Sequence, residues 1–188
     1  MQMVQMSAID KADTAWLLVS TVLVLLMTLP GVALFYAGLV RRKNVVNTLA
    51  SVFAVACVVT LTWFALGYSL AFSQGSSWLG GLARAGFAAM RLDGAAGTVS
   101  VSHLAPHVPE AVYALFQMAF AVITTCLIVG AVVERMRFAA LLLFAALWSV
   151  LVYAPVAHWV WEADGWLNKL GALDFAGGAV VHVNAGVA

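Results

Sequence analysis

Charged residues are scarce in this sequence. Nine of its 188 residues are Lys or Arg and eight are Asp or Glu, whereas 64% are hydrophobic. With a mean hydropathy of +1.02, this composition excludes a soluble globular domain and a disordered chain. The formal net charge is +1, and the basic residues form no patch beyond short loops. The sequence therefore predicts no nucleic-acid partner.

Cysteine is also scarce. Cys57 and Cys126 both lie in apolar stretches, which excludes a disulfide scaffold and favours two small core residues. His103 and His107 are four residues apart, a spacing that suits metal ligands on a helix. Pro106 lies between them, however, and no acid or cysteine accompanies them. We therefore predict a solvated loop there, with no metal and no cofactor.

The uncharged stretches are long and continuous. A helix needs about 20 apolar residues to cross a hydrocarbon core of roughly 30 Å, and continuous apolar runs favour helices over the alternating strands of a barrel. We predict an all-α polytopic membrane protein rather than an enzyme. The predicted spans are approximately 14–40, 45–72, 111–133, 138–161 and a truncated fifth at 174–188.

The basic residues predict the orientation of these spans. Two short loops, 41–44 and 134–137, carry most of the positive charge and a single acid, Glu134. The positive-inside rule places both loops in the cytoplasm and the N-terminus outside. The long connecting segment 73–110 would then lie outside, and we expect it to include a short interfacial helix near 78–90.

Two polar residues mark the fifth stretch. Asp174 directly precedes an apolar run, where its ordinary role is to cap the first turn of a helix and complement the helix dipole. His182 follows eight residues later, about 12 Å deeper at ~1.5 Å per residue. An ionisable group near the bilayer midplane is functional by default, the alternative being an interhelical hydrogen bond.

Three aromatic residues and an amide stand out in the third and fourth stretches. Phe116 and Phe120 are four residues apart and share one helix face, as ordinary packing residues also do. Trp161 closes the fourth stretch, either as an interfacial anchor or as a surface for a cation. Gln117, in mid-helix, needs hydrogen-bond partners from a neighbouring helix.

Several motifs in chain order resemble the Amt/Mep/Rh ammonium transporter family. They are Pro30-Gly-Val-Ala-Leu-Phe-Tyr-Ala-Gly38 with the basic loop after it, Phe116-Gln117-Met-Ala-Phe120, the 130–138 loop, Tyr153-Ala-Pro155 leading to Trp161, and the run from Asp174 to Gly186. Together these motifs are far more specific than any one of them.

The resemblance implies a homotrimer in a bacterial inner membrane. Each subunit would have eleven helices in two inverted five-helix repeats around its own pore, a general transporter design. This chain corresponds to the first repeat. The resemblance also implies ammonium or ammonia as substrate and a cytoplasmic PII-type regulator as a partner.

The same resemblance implies roles for individual residues. Trp161 and Phe116 would belong to the site that recruits ammonium, and Phe120 would be half of a phenylalanine gate. His182 would be the first of two pore histidines, and Asp174 the acid near the pore entrance. Gln117 would remain a buried polar support.

Three alternatives remain open. An ammonium sensor would carry an appended signalling domain, and these 188 residues contain none. A haem-binding redox subunit would need facing histidines at similar depths on different spans. Because the chain stops 14 residues after Asp174, we also expect a fragment or truncated product, which alone would supply half a pore.

Overall fold

Helices dominate the structure, a computed structural model that describes residues 2–88 and 90–188. Four of them are long and apolar enough to cross a membrane: α1 Lys11–Leu39, α2 Arg42–Phe72, α3 Glu110–Val132 and α4 Phe138–Lys169. A shorter apolar helix, α5, covers Gly178–Val187. In lipid each backbone polar group must be bonded within its own segment, which a helix achieves. The prediction of a helical chain with membrane-spanning stretches is confirmed.

The helices are not regular throughout. Wider, π-helical turns interrupt α1 at Met27–Val32, α2 at Trp63–Gly67 and α4 at Ser149–Tyr153, and α5 begins with one at Gly178–Val183. Such turns are rare and concentrate at functional or strained positions. The α-helical segments are Lys11–Leu26 and Ala33–Leu39 in α1, Val45–Thr62 and Tyr68–Phe72 in α2, the whole of α3, Phe138–Trp148, Ala154–Trp161 and Trp166–Lys169 in α4, and Asn184–Val187 in α5.

The segment 73–110 corrects the all-α prediction, because it contributes three strands to an antiparallel sheet. Strand β3, Thr98–Ser102, pairs with β1 (Gln2–Gln5), β2 (Leu92–Asp93) and β4 (Ala105–Pro109). Strand β3 alternates valine with serine, and Val99 and Val101 are buried. A period of two with β-branched residues favours a strand.

The expected interfacial helix near 78–90 is wrong. Residue 89 lies outside the described residues, and the remainder of this stretch contains only a 3₁₀ turn at Ala85–Phe87. Gly86 has a φ of +60°, a backbone conformation that a regular helix cannot accommodate.

Helix α3 is the centre of the bundle and packs against both α1 and α2. Helices α1 and α3 approach each other tightly at Gly130, where a Cβ atom would lie 2.5 Å from the ring of Tyr36. The Tyr36 hydroxyl donates a hydrogen bond of 2.9 Å to the carbonyl oxygen of Leu127. Cys126 is buried here, as predicted, but Cys57 is exposed, so its assignment to the core is wrong.

The two short basic loops meet at one end of the bundle. One carboxylate oxygen of Glu134 accepts hydrogen bonds from the Asn44 amide at 2.7 Å and from the Arg41 backbone N–H at 3.2 Å. These bonds hold the pKa of Glu134 below its ordinary value, because they stabilise the ionised form. The contacts place the two loops on the same side.

A buried ion pair ties the segment 73–110 to the start of α3. Glu110 is 1% exposed and forms a salt bridge with Arg84, and it accepts a hydrogen bond of 3.0 Å from the Tyr68 hydroxyl. Removing one partner of a buried pair leaves an uncompensated charge, which typically costs about 3–5 kcal/mol.

We therefore expect Arg84→Met to lower the free energy of unfolding by about 3–5 kcal/mol. Denaturant titration of the purified protein in detergent measures this loss. Arg91→Met is the matched control, because the Arg91 side chain is exposed, and it should be nearly neutral. Equal stability of the two variants would contradict a stabilising role for the pair.

Candidate functional site

Five of the six predicted site residues line one cavity. The cavity has a volume of about 330 Å³, enough for a small cation with several water molecules at roughly 30 Å³ each. We call it the aromatic cavity; its lining residues are Leu104, Tyr113, Phe116, Gln117, Phe120, Trp161, Asp174, Phe175, Ala176 and Gly177. The predicted residues come from α3, from the end of the regular part of α4 and from the turn before α5.

Three rings form a continuous group along one side of this cavity. The ring centroids of Phe116 and Phe120 are 5.0 Å apart at 80°, and those of Phe120 and Trp161 are 6.0 Å apart at 76°. Both pairs are therefore edge-to-face, a favoured arrangement for aromatic rings. Phe120 lies between the two residues assigned by resemblance to cation recruitment.

Trp161 is fixed at its polar edge. Its indole N–H donates a hydrogen bond of 2.8 Å to the backbone carbonyl oxygen of Asp174. The polar group is thus satisfied within the protein, while the half-buried ring lines the cavity. An indole face attracts a cation through the ring quadrupole.

The Asp174 carboxylate bonds to the first turn of α5, although the residue at the N-cap position is Gly177. The helix begins at Gly178 rather than directly after Asp174. The aspartate Oδ2 accepts hydrogen bonds from the backbone N–H groups of Ala179 at 3.0 Å and Val180 at 2.9 Å. These are among the first-turn N–H groups that have no partner within the helix.

The turn between Asp174 and α5 depends on Gly177. This residue has a φ of +78°, and a Cβ atom there would lie 2.9 Å from the Val181 side chain. Glycine adopts this left-handed conformation without the steric cost that other residues incur. The later start of α5 follows from this turn.

Gln117 is buried, with 9% of its surface exposed. Its amide nitrogen donates a long hydrogen bond of 3.3 Å to the Tyr113 hydroxyl. Its amide oxygen has no hydrogen-bond partner among the described residues, so it is available to a polar guest in the aromatic cavity.

His182 is the predicted site residue that the structure does not bring to this cavity. It lies four residues after Gly178, in the π-helical first part of α5, and its side chain is exposed. It stands beyond the cavity, in the direction in which α5 continues.

Sequence reasoning missed a second polar group beside the cavity. Glu162 follows Trp161 directly and is 1% exposed; its Oε1 lies 2.6 Å from Nε2 of His103. His103 is exposed in the β3–β4 turn, as expected for a solvated loop, but an acid accompanies it, because it is bonded to Glu162 of α4. His107 lies in strand β4 instead of a loop. The available signal in the sequence was the position of Glu162, an acidic residue directly after Trp161 at the end of the predicted span 138–161.

The geometry of His158 argues against the haem alternative. This histidine is fully buried, and its Nδ1 and Nε2 lie 2.9 and 2.8 Å from the carbonyl oxygens of Ala71 and Ser76. Neither nitrogen is free to bind an iron atom. His103 is likewise engaged by Glu162.

Comparisons with known proteins agree on one family. The sequence pattern described as Ammonium Transporter Family matches residues 15–188. The chain is 49% identical over 180 residues to a putative ammonium transporter of Methanothermobacter thermautotrophicus, covering 96% of this chain and 42% of that protein. It is also 49% identical over 176 residues to an ammonium transporter of Bacillus subtilis, covering 94% and 41%. The chain thus spans about two fifths of the length of these curated relatives.

Solved structures show the same fold. The crystal structure of Candida albicans Mep2 matches with a TM-score of 0.80 at 38% identity, covering 97% of this chain and 39% of that one. The Saccharomyces cerevisiae Mep2 structure matches with a TM-score of 0.77 at 34% identity, covering 95% and 38%. A structure described as a sensor Amt protein shares the fold, with a TM-score of 0.75 at 24% identity over 90% of this chain and 40% of that one.

Proposed function

Because the chain belongs to the ammonium transporter family, we propose that it forms the first half of a pore that conducts ammonium or ammonia across a membrane. The observation that carries this proposal is the aromatic cavity, in which Phe116, Phe120 and Trp161 line a space next to the capped start of α5. Both the residue types and their grouping suit a small cation.

Recruitment is the first step of the proposed mechanism. Each aromatic face that meets a cation contributes about 0.5–2 kcal/mol. The carboxylate of Asp174 adds a negative charge to the same cavity. These groups collect ammonium from dilute solution, and Gln117 supplies a carbonyl oxygen that accepts a hydrogen bond from it.

Deprotonation is the second step. Moving an intact cation into an apolar constriction costs up to tens of kcal/mol by a Born estimate, far more than the ring faces contribute. Transfer of one proton from ammonium to the Asp174 carboxylate, which lines the cavity, leaves neutral ammonia and eliminates most of that cost. Phe120 would therefore gate the passage of neutral ammonia.

His182 serves the pore beyond the gate. A neutral imidazole offers one hydrogen-bond donor and one acceptor, so it can bond ammonia and relay a proton. The exposed face of α5 that carries His182 would meet the second repeat of the assembled pore.

The wider architecture belongs to the same proposal. The N-terminus lies outside a bacterial inner membrane, the subunit has eleven helices in two inverted repeats, and three subunits assemble. A PII-type protein binds the cytoplasmic face. The contacts of Glu134 with Arg41 and Asn44, which bring the two basic loops to one side, support this orientation.

The test is uptake of methylammonium by transporter-deficient cells that express the full product of the gene. We expect saturable uptake, and we expect Trp161→Leu to raise the KM two- to thirtyfold, since about 0.5–2 kcal/mol of cation binding is lost. Trp78→Leu is the control, because Trp78 is exposed and stacks on Trp166 away from the cavity.

Three outcomes would count against parts of this proposal. An unchanged KM in Trp161→Leu would reduce that residue to an interfacial anchor. Binding of methylammonium without uptake would favour the sensor alternative. Absence of both would contradict the proposed transport function.

A further inference from the structure

Glu162 is a buried acid that the proposed mechanism does not use. It is 1% exposed, and one of its oxygens, Oε1, is bonded to His103. The other, Oε2, is also buried and has no hydrogen-bond partner among the described residues. A buried carboxylate with only one bonded partner is costly to maintain, so this arrangement indicates a role beyond packing.

The Glu162–His103 pair flanks the wall of the aromatic cavity. Trp161 lines the cavity and directly precedes Glu162, while Leu104 lines it and directly follows His103. The His103 side chain is 31% exposed and that of Glu162 is 1% exposed. The pair thus extends from solvent at the β3–β4 turn to the buried end of the regular part of α4.

Other charged groups around the pair already have partners or lie further into solvent. Lys169 pairs with Asp164 at 3.1 Å, and the Asp174 carboxylate caps α5. Tyr113 accepts a hydrogen bond from Gln117.

Three more titratable groups lie on neighbouring elements. His158, one turn earlier on α4, is enclosed by two carbonyl oxygens. Asp13 on α1 and His107 on β4 are exposed and line a neighbouring cavity, which shares Leu104, Tyr113 and Phe116 with the aromatic cavity. Among the described residues, His103 is therefore the titratable side chain bonded to Glu162.

We propose that Glu162 and His103 form a charge-setting pair that makes cation capture in the aromatic cavity depend on external pH. When His103 is neutral, its Nε2–H donates to the carboxylate and the pair carries a net charge of −1 beside the cavity. When His103 is protonated, the pair is neutral overall and attracts a cation less.

This proposal rests on the proposed transport function. It predicts the direction in which cation capture in the aromatic cavity changes with external pH. Capture should strengthen as the external pH rises and His103 loses its proton. A unit charge at about 10 Å, with an effective dielectric constant of about 20 to 40, changes affinity on the order of four- to twentyfold.

The experiment measures methylammonium uptake into proteoliposomes that contain the full gene product. The internal pH is held constant while the external pH is varied from 5.5 to 8, over which methylammonium stays protonated. For the wild-type protein we expect the KM to fall by roughly four- to twentyfold as the external pH rises, with little change in the maximal rate.

Two variants separate charge from structure. His103→Gln keeps a hydrogen-bond donor without a titrating proton, so its KM should stay low and independent of pH. Glu162→Gln makes the pair neutral at high pH and +1 at low pH, so its KM should exceed the wild-type value at every pH and still fall as the pH rises. His107→Gln, which alters an exposed histidine of the same hairpin, is the matched control and should retain the wild-type profile.

The outcomes distinguish this inference from the transport function. If the wild-type protein shows no uptake, the transport function fails. If uptake is normal and His103→Gln keeps the wild-type pH profile, the charge-setting pair is wrong. Equal losses of uptake in His103→Gln and Glu162→Gln, with the wild-type pH dependence of the KM retained, would also overturn the proposal. They would show that the bond between the two residues is purely structural. If Glu162→Gln does not fold, the His103→Gln profile decides.

Discussion

Asp174→Asn is expected to abolish ammonium transport while leaving the subunit assembled. Asparagine caps a helix about as well as aspartate, so its side-chain oxygen can still accept from Ala179 and Val180. What the substitution removes is the negative charge in the aromatic cavity. Current from the full gene product on a solid-supported membrane measures transport, and size-exclusion chromatography measures assembly.

Two controls accompany this variant. Asp164→Asn removes an exposed acid that pairs with Lys169 and should leave the current unchanged. Asp174→Ala removes both charge and cap, and should additionally cost about 0.5–2 kcal/mol of stability. A wild-type current from Asp174→Asn would show that the residue serves only as a cap.

His182→Leu is expected to abolish the transport current as well, but by acting on the passage of ammonia beyond the gate instead of on cation capture. Leucine is comparable in bulk but offers neither a donor nor an acceptor, so the hydrogen-bonding path beyond the gate is interrupted. We expect little or no current from correctly assembled oligomers, measured in the same assay.

Val183→Leu is the matched control for His182→Leu. Val183 is the next residue on α5 and is 62% exposed, so the change adds bulk without removing a polar group. It should conduct like the wild-type protein. A normal current from His182→Leu would assign the histidine to an interhelical contact instead of the pore.

The sequence predicted the helices well because their signal is local. Long uncharged apolar runs can satisfy their backbone only as helices in lipid, and the four long helices lie at these runs. The shared face of Phe116 and Phe120 follows from a spacing of four residues. The place of Asp174 before an apolar run indicated hydrogen bonds to a first helical turn, but not the three residues that separate Asp174 from the start of α5 at Gly178.

The features that the sequence did not predict depend on contacts between residues far apart in the chain or on local backbone conformation. The start of α5 was misplaced because the left-handed turn at Gly177 is not visible in hydropathy. The Glu162–His103 bond joins residues far apart in sequence, and no periodicity connects them. The sheet was missed because its strands are short, although the valine–serine alternation of β3 was a local signal for it.

The pairing of β1 with β3 imposes an order on biosynthesis. Gln2–Gln5 leaves the ribosome before α1 and α2, whereas its partner Thr98–Ser102 follows both helices. Contacts between such distant segments form late, because closing the intervening loop costs entropy before any bond compensates for it. The strand Gln2–Gln5 must therefore stay unpaired until both helices have been made, so its strand edge is exposed throughout that interval.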